Sequence, residues 1–121
     1  MASHKFDFVS KGKIGESYAT KFLIEKGFKI LDKNFRSRFG EIDIIAERNN
    51  ELYFCEVKTR WNTKFGLPQD AVTKSKLDKI IKTIDYYLYI NKIKNEKLKI
   101  IVISQMFIEG KLEKQEIIAV N

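Results

Sequence analysis

Two short apolar segments of the sequence each carry a pair of charged residues at alternating positions. In the first segment the pair is Glu41 and Asp43, and in the second it is Glu56 and Lys58. Side chains alternate between the two faces of a strand, so the members of each pair are expected to share one face. Asn49-Asn50, which lies between the segments, predicts the two-residue turn of a tight hairpin, because Asn tolerates positive φ.

The predicted turn also determines which residues of the two segments face each other. With Asn49 and Asn50 as the loop, Asp43 is expected opposite Glu56, on one face of the hairpin. Opposed carboxylates repel each other, and burying them in a central strand is unfavourable unless a partner compensates. A divalent cation would remove this repulsion, since Mg²⁺ is typically held by one or two carboxylates, water and a phosphate. The pattern indicates a candidate metal site, with Lys58 beside the water that the metal activates.

The same spacing also permits a purely structural interpretation. Glu41 and Lys58 can form a cross-strand ion pair, and Asp43 can accept backbone hydrogen bonds in the loop before its strand. Glu16 lies near the apolar stripe of the first predicted helix. It either reaches over the sheet toward Asp43 and Glu56 or is a solvated residue on the flank of the helix. Spacing alone leaves both interpretations open.

Periodicity and turn signals predict the elements that must position these side chains. Apolar residues at helical spacing predict a first helix over Ser10–Lys26, which Gly27 would close as a C-cap. Residues 1–8 are expected to form a frayed tail. Pro68 is expected to open a second, long helix that runs to about Asn91. The predicted strands are Phe28–Arg38, Glu41–Ala46, Leu52–Lys58, Leu98–Ser104 and Glu113–Val120, the last at a sheet edge.

The resulting order, α-β-β-β-α-β-β, predicts an α/β fold with a mixed β-sheet flanked by helices. The chain has 121 residues and is 44% apolar, which suits a single domain over 1–121 with a real core. No apolar run reaches the ~20 residues of a membrane-spanning helix. Cys55 is the single cysteine and is expected to be a core residue. Without an internal disulfide the chain suits the reducing cytoplasm.

Charge and composition limit the partners and cofactors. The net charge is +7, with 23 Lys and Arg against 16 Asp and Glu, which favours a polyanionic partner such as nucleic acid. Lysine predominates over arginine, so contacts to the backbone are expected more than base reading. With one Cys and one His, thiolate and His-rich metal sites are excluded. Any metal must therefore be held by oxygen ligands.

Five motifs occur in order along the chain. They are G-x-x-G-E-x-x-A (Gly12 to Ala19), N-F-R (Asn34–Arg36), G-E-I-D-I-I-A (Gly40–Ala46), F-C-E-V-K-T-R (Phe54–Arg60) and F-G-x-P-x-x-A-V-x-x-x-K (Phe65–Lys76). This series resembles the YraN family of bacterial proteins and covers about residues 11–91. The resemblance implies a restriction-endonuclease-like core, similar to that of archaeal Holliday-junction resolvases.

The resemblance also implies roles for individual residues. In that superfamily a helical Glu, a strand Asp and an E-x-K strand bind a metal and activate water. The matching catalytic residues here are Glu16, Asp43, Glu56 and Lys58. Mg²⁺ or Mn²⁺ would be held by Asp43, Glu56, the Val57 carbonyl and Glu16. One departure follows the long helix, where the family usually has an Asp and this sequence has Lys99.

The sequence therefore predicts a metal-dependent endonuclease acting on DNA, with branched or structured DNA as one option. Nucleic-acid contacts are expected from basic residues on the loops and the second helix, namely Arg36, Arg38, Arg60, Lys64 and Lys76. Trp61 and Phe65 are expected to pack under their loop rather than to stack on bases. Two other functions stay open: a non-catalytic nucleic-acid-binding module with the same fold, and a protein whose basic face docks an acidic partner. A homodimer is also left open.

Overall fold

A computed structural model of the chain describes residues 3–61, 72–94 and 96–120, with residues 3–10 as backbone only. The elements are α1 (Ser3–Glu25), β1 (Lys29–Ser37), β2 (Gly40–Arg48), β3 (Glu51–Trp61), α2 (Lys74–Ile90), β4 (Lys97–Ile108) and β5 (Lys111–Val120). The predicted order α-β-β-β-α-β-β and the mixed sheet are confirmed. No helix in the described ranges is long and apolar enough to cross a membrane.

The five strands of the described residues form one sheet in the order β1-β2-β3-β4-β5. All neighbouring strands are antiparallel except β3 and β4, which are parallel. A parallel pair needs a crossover connection, and α2 lies in the segment between these two strands. β5 lies at an edge of the sheet, as predicted, and it begins after a turn at Glu109-Gly110, where both residues have positive φ.

Alternation along the central strands divides the apolar side chains between two cores. One core joins Leu23 of α1 to Ile44 and Cys55. The other joins Ile84 of α2 to Ile45. The two helices therefore cover opposite faces of the sheet. Burial of each large apolar side chain contributes about 1.5–3 kcal/mol, so both helices are firmly anchored.

The first helix begins earlier than predicted and ends as predicted. It starts at Ser3 rather than near Ser10, so the expected frayed tail over 1–8 is wrong for residues 3–8. The sequence has no Gly or Pro before Gly12 that would stop a helix there. At the other end Gly27 has φ of 89°, and Phe28 N–H donates to the Leu23 carbonyl at 3.0 Å. This is the Schellman ending that a C-cap glycine favours.

The second helix begins later than predicted. Its N-cap is Thr73, whose hydroxyl accepts a hydrogen bond from Lys76 N–H at 3.1 Å. Capping by a threonine side chain satisfies an otherwise unpaired helix donor, so the helix starts at Lys74. Pro68, the predicted start, lies outside the described residues. The inner face contains the buried Ile80 and Ile84, whereas Ile81 is exposed.

Candidate functional site

The sheet is irregular on both sides of Asp43. On the β1 side, pairing skips the position at which Asn34 and Asp43 would meet. Asn34 there has φ of 55°, a left-handed conformation that Asn tolerates better than most residues. On the β3 side, pairing stops at Ile44 and Cys55. Asp43 is therefore unpaired on both sides: the β1 ladder resumes at Phe35 and Ile42, whereas the β3 ladder ends before Asp43.

The Asp43 carboxylate takes the place of a missing ladder acceptor. The backbone N–H of Val57 donates to Asp43 Oδ2 at 2.7 Å. The hairpin register is as predicted from Asn49-Asn50 up to Ile44 and Cys55, and both Asn residues have the positive φ that the turn requires. Beyond that point ladder pairing between β2 and β3 stops, and the Asp43 side chain accepts a hydrogen bond from the β3 backbone instead.

The predicted ladder pairs nearest the site are therefore wrong. Asp43 does not pair with Glu56 in the ladder, and Glu41 does not pair with Lys58. Glu41 Oε2 instead lies 3.6 Å from Nε of Arg36 on β1. Of the structural alternative, the Glu41–Lys58 ion pair is not formed, whereas Asp43 does accept a backbone hydrogen bond, from Val57 of β3 rather than from the loop before its own strand.

Asp43 and Glu56 nevertheless line one cleft, as their predicted common face requires. The cleft has a volume of about 470 Å³. Its walls come from the start of β2, from β3 and from the beginning of α2, namely Gly40, Glu41, Asp43, Glu56, Thr73, Ser75, Lys76, Lys79 and Ile80. Acidic side chains on the sheet thus face two lysines on the helix.

The Asp43 carboxylate is electrostatically unfavourable in its ionised form. Burial, the largest cause, and the nearby charge of Glu56 raise the pKa of Asp43 from 3.8 to about 7. The Val57 N–H opposes this shift, while Glu41 and Glu16 add to it. A cation placed beside such a group stabilises its ionised form. Asp43 therefore has the property expected of a metal ligand or a proton-accepting group.

Lys76 provides the cation beside the second carboxylate. Its Nζ atom lies 2.6 Å from Glu56 Oε2. The sequence predicted Lys76 as a phosphate contact and did not connect it to Glu56. The sequence separation of the two residues hides this contact, which depends on where α2 begins. The Thr73 cap is the signal that could have revealed it, because it places Lys76 in the first turn of α2.

Lys58 is not drawn into the cleft. Its side chain is exposed on β3, and within the described ranges it has no hydrogen-bond or ion-pair partner. Its neighbour in the parallel ladder is Ser104 of β4. Lys58 therefore lies on the same strand as Glu56, two residues further along, but forms no ion pair with either carboxylate.

Glu16 faces β1 rather than the two carboxylates. Its Oε1 atom accepts a hydrogen bond from Asn34 Nδ2 at 3.2 Å and lies 3.5 Å from Lys33 Nζ. These residues border a second cleft, of about 580 Å³, together with Lys13. Glu16 thus contacts the residue that breaks the ladder opposite Asp43, without contacting Asp43 itself.

A buried contact that sequence reasoning missed fixes the position of α1 next to Glu16. A Cβ on Gly15 would lie 2.5 Å from Thr59 Oγ1, so only glycine permits this approach. The Gly15 carbonyl accepts a hydrogen bond from Nε2 of the buried Gln105 at 2.8 Å. Gln105 also donates to Thr59 Oγ1 at 3.1 Å. The signal available in the sequence was a glycine inside a predicted helix.

Comparison with known proteins places the chain in a family. Residues 15–118 match the Uncharacterised protein family UPF0102. The chain belongs to UPF0102. This is the YraN family that the motifs resembled, and the UPF0102 match includes all candidate residues from Glu16 to Lys76.

Similar proteins carry the same UPF0102 name. The UPF0102 protein of Clostridium novyi is 51% identical over 92 residues, which cover 76% of this chain and 77% of that one. The UPF0102 protein of Persephonella marina is 45% identical over 94 residues, covering 78% and 81% of the two chains. That of Clostridioides difficile is 43% identical over 102 residues, covering 84% and 90%.

The oxygen donors of this UPF0102 chain fit a hard divalent cation. No group of three or more His, Cys, Asp and Glu residues converges within the part of the chain that the structure describes. Asp43 and Glu56 would therefore supply two side chains, a number that Mg²⁺ commonly takes together with water and substrate oxygens. The high pKa of Asp43 supports the fit, because bound cations favour the ionised form.

The other predicted residues of the UPF0102 chain lie around the two clefts or outside the described ranges. Arg36 and Arg38 are exposed at the end of β1 and in the turn that follows it. Arg60 is half-buried on β3, and Lys64 and Phe65 are not among the described residues. Trp61 stacks on Phe107 of β4, with ring centroids 4.4 Å apart, so it packs against a neighbouring strand, while most of the loop under which it was expected to pack lies outside the described residues.

Cys55 has the buried position that the sequence predicted for it. Its side chain is 1% exposed. Burial, together with the charge of Asp43, strongly raises the pKa of its thiol. A protonated, buried thiol is a poor nucleophile and a poor metal ligand, so Cys55 is a core residue of this fold.

Proposed function

We propose that this protein is a metal-dependent nuclease that hydrolyses phosphodiester bonds of DNA. The observation that carries the proposal is the Asp43 carboxylate, which is largely buried at a break in the sheet and has a pKa of about 7. It shares an open cleft with Glu56, Lys76 and Lys79. Acidic groups that would hold a cation thus lie opposite ammonium groups that would bind phosphate.

Asp43 and Glu56, with the Val57 carbonyl as the family resemblance implies, would hold Mg²⁺ or Mn²⁺. When bound, such an ion lowers the pKa of water and neutralises charge on the phosphate. The Val57 N–H orients the Asp43 carboxylate by its hydrogen bond at 2.7 Å. This bond holds one carboxylate oxygen and leaves the other available to a cation.

The lysines have separate roles in the proposed reaction. Lys76 and Lys79 line the cleft on α2 and would bind phosphate oxygens of the strand. Lys58, which is exposed and without an ion-pair partner in the described part of the chain, would orient the attacking water and stabilise developing negative charge. Glu16 would take part indirectly, because it holds Asn34 of β1 at the unpaired position next to Asp43.

Two further arguments support a nuclease. The element order and the mixed sheet agree with the restriction-endonuclease-like core that the motifs implied. The net charge of +7 favours binding to a polyanion. Arg36 and Arg38 are exposed on β1 and in the turn after it, where they would contact phosphates beside the cleft.

The second candidate function is a nucleic-acid-binding module without catalysis. The Lys76–Glu56 ion pair favours it, because an ammonium group already neutralises one of the two carboxylates. A third candidate, docking of an acidic protein, differs from both because it predicts no salt-dependent binding of DNA. DNA binding should weaken with a log–log slope of roughly −0.9 per phosphate contacted.

The test is a cleavage assay with Mn²⁺ on branched, nicked, flapped and single-stranded DNA. Wild-type protein should cut at least one of these substrates, and Asp43→Asn should cut none while retaining DNA affinity. If wild type binds several substrates but cuts none, the binding module replaces the nuclease. If it binds none at low salt, docking of an acidic protein is favoured instead.

A further inference from the structure

A third cavity lies at the turn between β1 and β2, next to the cleft that Asp43 and Glu56 line, which we call the carboxylate cleft. Its volume is about 340 Å³, and its walls are Arg36, Ser37, Arg38, Phe39 and Tyr86. We call it the turn pocket. Two aromatic residues and two arginines therefore line one small cavity. None of the roles assigned above uses Phe39 or Tyr86.

The turn that carries Phe39 is held rigidly. Phe39 N–H donates to Ser37 Oγ at 3.0 Å. Ser37 Oγ lies 3.1 Å from Oγ1 of Thr83, a residue of α2 that is fully buried. A buried helical hydroxyl thus anchors the turn from below. A ligand that enters the turn pocket would meet a preformed site, which lowers the entropy lost on binding.

The chemistry of the turn pocket suits a planar aromatic ligand with negative charge nearby. Tyr86 is 42% exposed, and Phe39 is half-buried. Arg38 Cζ and Lys82 Nζ lie over the Phe39 ring, 5.0 and 5.8 Å from its centroid. Nucleobases stack on aromatic rings and guanidinium planes, and neighbouring phosphates attract the cations. A paired base inside a duplex cannot present its face in this way.

The turn pocket adjoins the cleft through consecutive residues. Phe39 lines the pocket, and Gly40 and Glu41 line the cleft. Gly40 packs against α2, where a Cβ would lie 3.6 Å from the Cβ of Lys79. One DNA strand can therefore place a phosphate in the cleft and a nearby base at the turn.

We propose that the turn pocket binds an unpaired nucleobase of the DNA strand whose backbone lies in the carboxylate cleft. This inference rests on the proposed nuclease function and specifies its substrate as DNA with an unpaired nucleotide close to the cut. Phe39 and Tyr86 stack on the base, while Arg38 and Lys82 hold the adjoining phosphates.

The experiment measures DNA binding in EDTA, so that neither a metal nor cleavage contributes. Two fluorescent duplexes of equal length are compared at one salt concentration: one fully paired, the other with a single unpaired 2-aminopurine. Wild type should bind the second about tenfold more tightly, the scale of one base stacked on an aromatic side chain. It should also quench the fluorescence of 2-aminopurine.

Variants separate stacking from general effects on the surface. Phe39→Leu should abolish the preference and the quenching while changing affinity for the paired duplex less than twofold. Phe39→Tyr should retain both. Tyr89→Leu is the matched control, because Tyr89 is an 80% exposed aromatic residue on the same helix as Tyr86. If Phe39→Leu does not fold, Tyr86→Leu takes its place.

Two outcomes would overturn the inference. Wild type could bind both duplexes equally, or Phe39→Leu and Tyr89→Leu could behave alike. If Mn²⁺-dependent cleavage persists in either case, the nuclease proposal stands and only the turn pocket is rejected. A retained base preference without any cleavage would instead reject the nuclease and keep the pocket as a DNA-binding site.

Discussion

Lys76 Nζ lies 2.6 Å from Glu56 Oε2, so an ion pair within the cleft joins the first turn of α2 to β3. The Glu56 side chain is 13% exposed and that of Lys76 is 44% exposed, so the carboxylate is the more buried partner. Removing the ammonium would leave a largely buried carboxylate without its counter-charge, beside Asp43. A divalent cation bound to both carboxylates would compete with Lys76 for Glu56.

Replacement of Lys76 should increase the effect of metal on stability. We expect Lys76→Met to lower the melting temperature in EDTA and to show a larger rise with Mn²⁺ than wild type, because the ion replaces the lost charge. Lys79→Met is the matched control, since Lys79 lines the same cleft and forms no ion pair with Glu56. Differential scanning fluorimetry checks this, and equal Mn²⁺ shifts in wild type and Lys76→Met would contradict competition.

The stability of the metal-free protein should depend on the ionisation of Asp43. Its pKa is raised from 3.8 to about 7 in the folded state. Between these values the folded state binds one proton more than the unfolded state, so stability falls as pH rises, by at most about 1.4 kcal/mol per unit. The stability contributed by the protonated Asp43 carboxyl is fully present below about pH 4 and is lost above about pH 7, as the group ionises.

The Asp43→Asn variant isolates this contribution from the rest of the charge. Asn can still accept the Val57 N–H bond, and it carries no charge at any pH. We therefore expect the variant to be more stable than wild type at pH 8 in EDTA, with the difference shrinking toward pH 5. Urea denaturation at both values measures it. Parallel pH profiles for the two proteins would show that the carboxylate is not destabilised by burial.

A divalent cation should stabilise the fold through the two carboxylates. A ligand that binds only the native state adds about 1.4 kcal/mol at roughly ten times its Kd, which raises the melting temperature by several degrees. Mn²⁺ or Mg²⁺ should have this effect on wild type but not on Asp43→Ala. Asp78→Ala serves as the control, because Asp78 is exposed on α2. The same rise in Asp43→Ala as in wild type would refute the assignment.

Local signals predicted the hairpin well, because Asn49-Asn50 alone sets its register. They failed at Asp43, where the hairpin ladder ends and the side chain accepts the Val57 N–H bond. The identity of the lysine beside Glu56 also escaped prediction. It depends on where α2 starts, and the Thr73 cap decides that rather than Pro68. Both failures concern contacts between elements, which a pattern within one element does not report.

The two glycines of the motif G-x-x-G-E should respond in opposite ways to alanine. A Cβ at Gly15 would lie 2.5 Å from Thr59 Oγ1, so Gly15→Ala should lower stability by about 1–3 kcal/mol through overpacking. Gly12 is exposed in α1, with no atom of the described residues near its Cβ position. Gly12→Ala should therefore stabilise by about 0.5–1 kcal/mol. Chemical denaturation compares them, and similar effects would disprove the close α1–β3 contact.

Lys58 provides the sharpest separation of catalysis from structure. It is exposed and has no ion-pair partner in the described ranges, so Lys58→Ala should change stability by less than about 0.5 kcal/mol. The Mn²⁺-induced rise in melting temperature and the DNA affinity should also persist. Cleavage should fall by about 10²–10³, the loss expected when one stabilising donor is removed from a transition state.

The comparison with Lys76→Met completes this test, because both variants remove one ammonium group from the same region. If Lys58→Ala alone loses cleavage at unchanged Mn²⁺ response, Lys58 acts on the reacting groups, as the E-x-K motif implies. If cleavage survives Lys58→Ala but is lost in Lys76→Met, the ammonium group from α2 performs that role. The position of Lys76 Nζ, 2.6 Å from Glu56 Oε2, would then explain why Lys76 takes the role expected of Lys58. Single-turnover cleavage at saturating protein distinguishes these results from a simple loss of DNA binding.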